Sequence, residues 1–122
     1  MNSIGIETTM GEKLARYLDL ATDQAKLTAA NMANIDTPGY QTLGMDFEAE
    51  MKAAMDEATQ GKPGRKVDVR KVGGLITRPD GNNVSMDREG LQLAEAQLRF
   101  KTGVALLRIE NQRIMDAIHA DK

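Results

Sequence analysis

The sequence predicts a mainly α fold in which two long terminal helices pack lengthwise like a coiled coil, with a short helix and a small β-hairpin between them. Apolar and small residues recur at alternating steps of four and three near both ends of the chain. This spacing is typical of helices packed along other helices. Because the chain has 122 residues, we expect one domain, over residues 1–122, with a modest core.

The first helix is predicted over residues 10–35. Thr9 and Glu12 fit a capping box that starts a helix near Met10. The predicted seam comprises Leu14, Leu18, Ala21, Ala25, Thr28, Met32 and Ile35. Its small residues allow another helix to approach closely, although one helix of an ordinary bundle gives the same periodicity.

A turn is predicted where this helix ends. Thr37 precedes a proline and is therefore disfavoured in the α region, so the helix should end near Asn34 or Ile35. Pro38 and Gly39 suit the two central positions of a type II turn. Asn31 and Asn34 share a helical face, from which their amides can bond open carbonyls or a neighbouring chain. Such a segment is also an ordinary helix stop.

The middle of the chain, residues 36–85, contains the two smaller elements. Asp46 is a plausible N-cap for a helix over residues 46–58, with Phe47, Met51, Met55 and Ala58 on one face. Residues 67–70 and 75–77 flank Gly73-Gly74, which predicts a hairpin.

Opposite charges cluster in two adjoining stretches of this middle region. The acidic stretch contains Asp46, Glu48, Glu50, Asp56 and Glu57, and the basic stretch contains Lys62, Arg65, Lys66, Arg70 and Lys71. Both are consistent with a solvated surface. The sharper alternative is an acidic patch on one subunit that meets a basic patch on the next.

The last helix is predicted over residues 86–120. Asp87 and Glu89 fall in its first turn, where negative charge favours the helix dipole. The predicted seam comprises Leu93, Gln97, Phe100, Val104, Leu107, Asn111, Ile114 and Ile118. Gln97 and Asn111 at seam positions are expected to fix the register between packed helices.

The composition excludes several classes of function. The chain has no cysteine and one histidine, His119 near the C-terminus, so we predict no enzyme, no metal site and no cofactor. A net charge of −2 argues against a nucleic-acid partner. We also expect no cleaved signal peptide and no membrane span.

The complete run of Ala30-Asn31-x-Ala33-Asn34-x-x-Thr37-Pro38-Gly39-Tyr40 resembles the N-terminal signature of the flagellar rod and hook proteins, the axial proteins of the bacterial flagellum. The segments 80–84, 93–100 and 107–118 are similar to the proximal rod members of that family, although Gly103 is unusual in mid-helix. The resemblance implies that the two terminal helices pair as the inner, tube-forming (D0-type) domain. It also implies that Asn31, Asn34, Thr37, Pro38, Gly39 and Tyr40 form an assembly turn.

The same resemblance implies a structural role. The subunit would be made in the cytoplasm, exported through the flagellar type III apparatus and assembled in the periplasm at the base of the rod, where it would help transmit torque. Its implied partners are other rod subunits including its own copies, the rod-to-ring adapter, the membrane ring and the export apparatus. The alternative is a soluble helical adaptor or export chaperone that binds a partner helix through an exposed seam.

Overall fold

The computed structural model describes residues 3–120, with side chains from residue 9 onward. Its elements are α1 (Ser3–Ala33), β1 (Leu43–Gly44), α2 (Phe47–Thr59), β2 (Arg70–Lys71) and α3 (Met86–Ala120). This mainly helical architecture, with two long terminal helices and a small antiparallel pair of strands between them, confirms the predicted fold class. No helix within the described residues is both long enough and apolar enough to cross a membrane.

Helices α1 and α3 form an antiparallel pair. Gln24 of α1 lies between Gln92 and Arg99 of α3, donating to the first and accepting from the second at 3.1 and 2.7 Å. Asn31 contacts Glu89 at one end of the pair, and Leu18 approaches Gly103 farther along. Residues of the two helices at the same level therefore have numbers that add up to about 120.

The start of α1 differs from the prediction. The helix begins at Ser3, and Thr9 lies inside it, so the predicted capping box near Met10 is wrong. The antiparallel pairing gives the physical reason. Because α3 continues to Ala120, its last turns lie at the level of residues that precede Met10, and a longer α1 runs beside them.

The helix pair is closest at Gly103. A Cβ atom there would lie 2.6 Å from Leu18 Cδ2 and 3.0 Å from Tyr17 Cδ1. Glycine weakens a helix by up to about 1 kcal/mol relative to alanine. Here it leaves the space that the two α1 side chains occupy, which explains a residue that the sequence pattern alone makes unusual.

The buried stripe of α3 is shifted from the predicted seam. Its buried residues are Glu89, Ala96, Gly103 and Glu110, spaced seven apart. Among the predicted seam residues, Ala21 and Thr28 are buried. The half-buried ones are Leu14, Leu18, Ala25, Met32, Ile35, Leu93, Val104, Leu107 and Ile114. Phe100 and Ile118 are 45% and 49% exposed. Gln97 and Asn111 are exposed, and Gln24 holds the α1–α3 register in their place.

Helix α2 is as predicted, but the small sheet uses other residues. Asp46 caps α2 by accepting from the Ala49 amide at 3.1 Å. The two strands pair Leu43 with Lys71 and Gly44 with Arg70. The predicted hairpin around Gly73-Gly74 is therefore wrong in its residues: the 67–70 segment reaches back to β1, and 75–77 is not a strand. The backbone of residue 44 lies close to Val72, where a Cβ on the glycine would be 2.8 Å from Val72 Cγ2.

We predict that Gly103→Val lowers the free energy of unfolding by roughly 1–3 kcal/mol, because the added methyl groups overpack the contact with Leu18 and Tyr17. The matched control is Gly90→Val in the same helix, since a Cβ at Gly90 meets nothing within 4 Å. Urea unfolding, followed by circular dichroism, measures the free energy of unfolding of both variants. Equal stability of the two variants would contradict the close approach.

Candidate assembly turn

The turn between α1 and β1 has the predicted local geometry. Gly39 has φ of 76°, and the Tyr40 amide donates to the Thr37 carbonyl at 3.2 Å, so Pro38 and Gly39 occupy the turn's centre. The Asn34 side chain donates to the Ala30 carbonyl at 2.8 Å, and the Asn34 main-chain amide donates to the same carbonyl at 3.2 Å, so this side chain helps to cap the helix end. Its side-chain oxygen accepts from the Thr37 hydroxyl at 3.0 Å, which ties the turn to the cap.

Asn31 lies inside the fold and uses the full capacity of its amide. Its Nδ2 donates to the Leu43 carbonyl at 2.7 Å and to Glu89 Oε2 at 3.1 Å. Its Oδ1 accepts from the Tyr40 hydroxyl at 2.9 Å and the Leu43 amide at 3.0 Å. An asparagine amide has two donors and two acceptor sites, and all four are used. One side chain thus joins α1, the turn, β1 and α3.

Glu89 is the second buried member of this network. Its exposed fraction is 0%, and its other oxygen, Oε1, accepts from Arg88 Nη1 at 2.6 Å. Burial raises the pKa of the Tyr40 hydroxyl, and the nearby charge of Glu89 raises it further. Glu89 was predicted to lie in the first turn of α3, where its charge favours the helix dipole. Its long-range hydrogen bond with Asn31 was not predicted.

A loop at residues 78–84 closes over the turn from the other side. Asn82, with 0% of its surface exposed, donates to the carbonyls of Asn34 and Thr37 at 2.8 and 2.9 Å. Arg78 donates to the Ile35 carbonyl and to the Val84 carbonyl. The Gly39 amide donates to the Asp80 carbonyl at 2.8 Å. The two sequence segments that carried the resemblance therefore meet in space.

Thr42 and Asn83 make the next layer of the same contact. Asn83 Oδ1 accepts from the Thr42 amide at 2.7 Å and from its hydroxyl at 2.8 Å. Asn83 also donates to Gln41, whose amide in turn donates to the Gly81 carbonyl. Arg78, Thr42, Asn82, Asn83 and Glu89 are the residues that sequence reasoning did not assign to the turn. The adjacent Asn82-Asn83 pair was the available signal.

The predicted turn residues divide into an inner and an outer group. Asn31 is 1% exposed, and Asn34 and Tyr40 are half-buried. Thr37, Pro38 and Gly39 are exposed. The inner group holds the backbone in place, and the outer group presents a fixed surface at one end of the helix pair.

The charged stretches of the middle region are partly satisfied within the subunit. Arg65 lies 3.4 Å from Glu57 and 3.9 Å from Glu50, and Glu50 also accepts from the Asp68 amide. Burial raises the pKa of nearby Asp23, an effect that Lys26 opposes. These contacts hold residues 62–70 against α2. No group of acidic or histidine side chains among the described residues is arranged to hold a metal ion.

Comparison with curated proteins identifies the class to which this architecture belongs. The chain is 34% identical to the flagellar basal body rod protein FlgB of Salmonella typhimurium, over 83% of this chain and 86% of that protein. It is 30% identical to the FlgB protein of Cereibacter sphaeroides, over 88% and 91%, and 29% identical to that of Escherichia coli, over 84% and 88%. No family model matches the chain.

These relatives are rod proteins of the flagellar basal body. The chain belongs to the FlgB family and is a structural component of the basal-body rod.

We predict that Asn31→Asp strongly destabilises the fold, because it removes two hydrogen bonds and places a second carboxylate beside buried Glu89. Asn34→Asp is the matched control at the more exposed helix end. The deficit of Asn31→Asp relative to wild type should shrink as pH falls, since protonation of the carboxylate pair relieves the repulsion. Thermal unfolding at several pH values measures this. A deficit that does not depend on pH would contradict it.

We predict that Tyr40→Phe costs about 0.5–1.5 kcal/mol near neutral pH, through loss of the hydrogen bond to Asn31. Because the folded-state pKa of Tyr40 is raised, the stabilisation by its hydroxyl is present below the unfolded pKa and is lost as pH rises through the folded pKa. The difference in free energy of unfolding between Tyr40→Phe and the wild type should therefore become smaller at alkaline pH.

Tyr17→Phe is the control for this experiment, since the Tyr17 hydroxyl has no hydrogen bond among residues 9–120 while its ring packs on Phe47. Unfolding in urea at about pH 7 and about pH 11 compares the three proteins. A cost of Tyr40→Phe that grows at high pH would contradict the expected role of the hydroxyl.

Proposed function

We propose that this chain is a subunit of the proximal rod that links the membrane ring to the rest of the rod and transmits torque. The observation that carries the proposal is the turn at residues 36–39, whose residues are exposed while hydrogen bonds hold its main chain: Asn82 donates to the Thr37 carbonyl, and the Gly39 amide donates to the Asp80 carbonyl. A rigid exposed surface at the end of a helix pair suits a contact that must bear load. The proposed partners are other rod subunits, copies of this chain, the rod-to-ring adapter and the membrane ring.

The proposed route to the periplasm is the flagellar type III export apparatus, after synthesis in the cytoplasm. The composition of the α1–α3 contact supports it. Its buried residues include Gln24, Thr28, Glu89 and Gly103, so the contact buries less apolar surface than a leucine seam would. Since hydrophobic stabilisation scales with apolar area, such a subunit opens easily for passage through a narrow channel.

The role is proposed to be structural, without catalysis. The relatives are named as rod proteins, and those names describe no reaction. The same names give no support to the alternative of a soluble adaptor or export chaperone.

We predict that the double variant Pro38→Ala, Gly39→Val prevents rod assembly while changing monomer helicity little. Gly39 has φ of 76°, a conformation that valine strongly disfavours, so the exposed turn is displaced while the α1–α3 pair persists. The measurement is electron microscopy of basal bodies from a strain that lacks this gene and carries either the variant or the intact gene.

A second Pro-Gly pair in the same chain provides the matched control. Pro63 and Gly64 are exposed, and a Cβ at Gly64 meets nothing within 4 Å, so Pro63→Ala with Gly64→Val should restore swimming. Rings without rods in the deletion strain, repaired by the intact gene, would support the proposed function. Complete rods in the deletion strain would overturn the function, and normal swimming with the 38/39 variant would overturn the role of the turn.

A further inference from the structure

Residues 62–68, which we call the strap, follow α2 and contain no helix or strand. They lie over the contact between α1 and α2, where Val67 of the strap, Leu20 of α1 and Ala54 of α2 line one cavity of about 70 Å³. Within the described part of the chain, no hydrogen bond joins the main chain of residues 63–68 to another main-chain group. A segment that lacks such bonds and lies above a gap in the packing can open separately from the rest of a fold.

Side chains from the two helices hold the strap in place. Arg65 Nε lies 3.4 Å from Glu57 Oε1, and Arg65 Nη2 lies 3.9 Å from Glu50 Oε2. The other oxygen of Glu50 accepts from the Asp68 amide at 3.1 Å. At the start of the strap, Arg16 of α1 donates to the first carbonyl of the segment. We call Arg65, Glu50 and Glu57 the clamp, because their ion pairs tie the strap to α2.

The closed strap leaves one buried atom unsatisfied. Glu57 Oε2 is buried and has no hydrogen-bond partner among the described residues. Asp19 and Asp23 of α1 line the same cavity, so four acids surround it together with two arginines. Burial raises the pKa of Asp23, Lys26 opposes the rise, and Asp19 adds to it. Unpartnered acceptors and carboxylates withdrawn from water both cost free energy, and opening of the strap relieves this cost.

The ion pairs that oppose this cost are themselves weak. The Arg65 side chain is 59% exposed, and ion pairs of exposed side chains contribute little and are screened by salt. The closed strap is therefore balanced between contacts that hold it and a desolvation cost that favours its release.

We propose that the strap opens and closes while α1 and α3 stay paired, and that the clamp sets the fraction of molecules in which it is open. Opening uncovers α1 at Leu20, which is 6% exposed when the strap is closed. Closing shields this apolar surface, so the strap is a built-in cover of the α1–α2 contact. This device goes beyond the proposed function, and the subunit carries it whether or not it is assembled.

The absence of cysteine from the chain allows a direct test, since a single introduced thiol reports whether its position is open. Leu20→Cys places the thiol under the strap. Ala21→Cys is the matched control, because Ala21 is also buried but lines the groove between α1 and α3. Each is made in the otherwise unchanged chain and in chains with Arg65→Gln or Lys66→Gln. The rate of reaction with N-ethylmaleimide, an uncharged reagent, is measured on the purified 122-residue subunit.

Arg65→Gln should raise the reaction rate of Leu20→Cys about tenfold, since it removes the cation of the clamp and leaves two acids unpaired. Lys66→Gln should leave the rate unchanged, because Lys66 is exposed and has no ion pair with another described residue. The rate at Ala21→Cys should respond to neither substitution. No increase at Leu20→Cys would overturn the proposal. An equal increase at Ala21→Cys would overturn it too, because it indicates opening of the whole subunit.

Ala54→Cys is a second reporter, used if circular dichroism shows that Leu20→Cys does not fold. Ala54 is half-buried and lines the same cavity from the side of α2. The reaction rate of its thiol should rise with Arg65→Gln and not with Lys66→Gln, and equal rates in the two backgrounds would contradict the proposal.

Salt gives an independent test of the clamp. Raising the NaCl concentration from about 0.05 to about 1 M should speed the reaction of Leu20→Cys, because salt screens the ion pairs of Arg65. Arg65→Gln should remove most of this dependence, since the ion pairs of the clamp are then absent. An equal salt dependence with and without Arg65 would overturn the role of the clamp.

Discussion

The structure depends on one buried amide. Asn31 is on α1, yet through four hydrogen bonds it holds the main chain of β1, the hydroxyl of the turn and the carboxylate of α3. Buried polar groups are costly when unsatisfied, so each of these partners must be in place for the others to be stable. This mutual requirement explains why a chain with few large apolar residues still has one defined arrangement at this end of the helix pair.

Sequence reasoning predicted the elements that depend on local chemistry. The cap at Asp46, the positive φ of Gly39 and the extent of α3 all follow from residues close by in the chain. The start of α1 and the strand partner of Arg70 could not be predicted in this way, because each depends on a segment far away in sequence. The seam of α3 was placed one position from the buried stripe, since the pattern counted Phe100 as core and could not show that Gly103 marks the closest contact.

The candidate site shows the same division. The turn residues were predicted from their motif. The loop at residues 78–84 contains a second motif, but its position over the turn was not predicted. No local rule indicated that Asn82 would bond the carbonyls of Asn34 and Thr37, or that Glu89 would reach Asn31. Such contacts depend on how the two helices pair, which a single sequence specifies only through its packing as a whole.

The long-range hydrogen bonds that Asn82 and Glu89 make with the end of α1 and the turn also set the order in which this region can become rigid. Residues 31 and 34 leave the ribosome well before residues 82 and 89, which supply their partners. The hydrogen bond from Tyr40 to Thr37 closes at once because it is local, but the long-range bonds must wait for nearly fifty more residues. A nascent chain therefore lacks the long-range hydrogen bonds of the turn through most of its synthesis. They form only after residues 78–89, the loop before α3 and the first residues of α3, have been made.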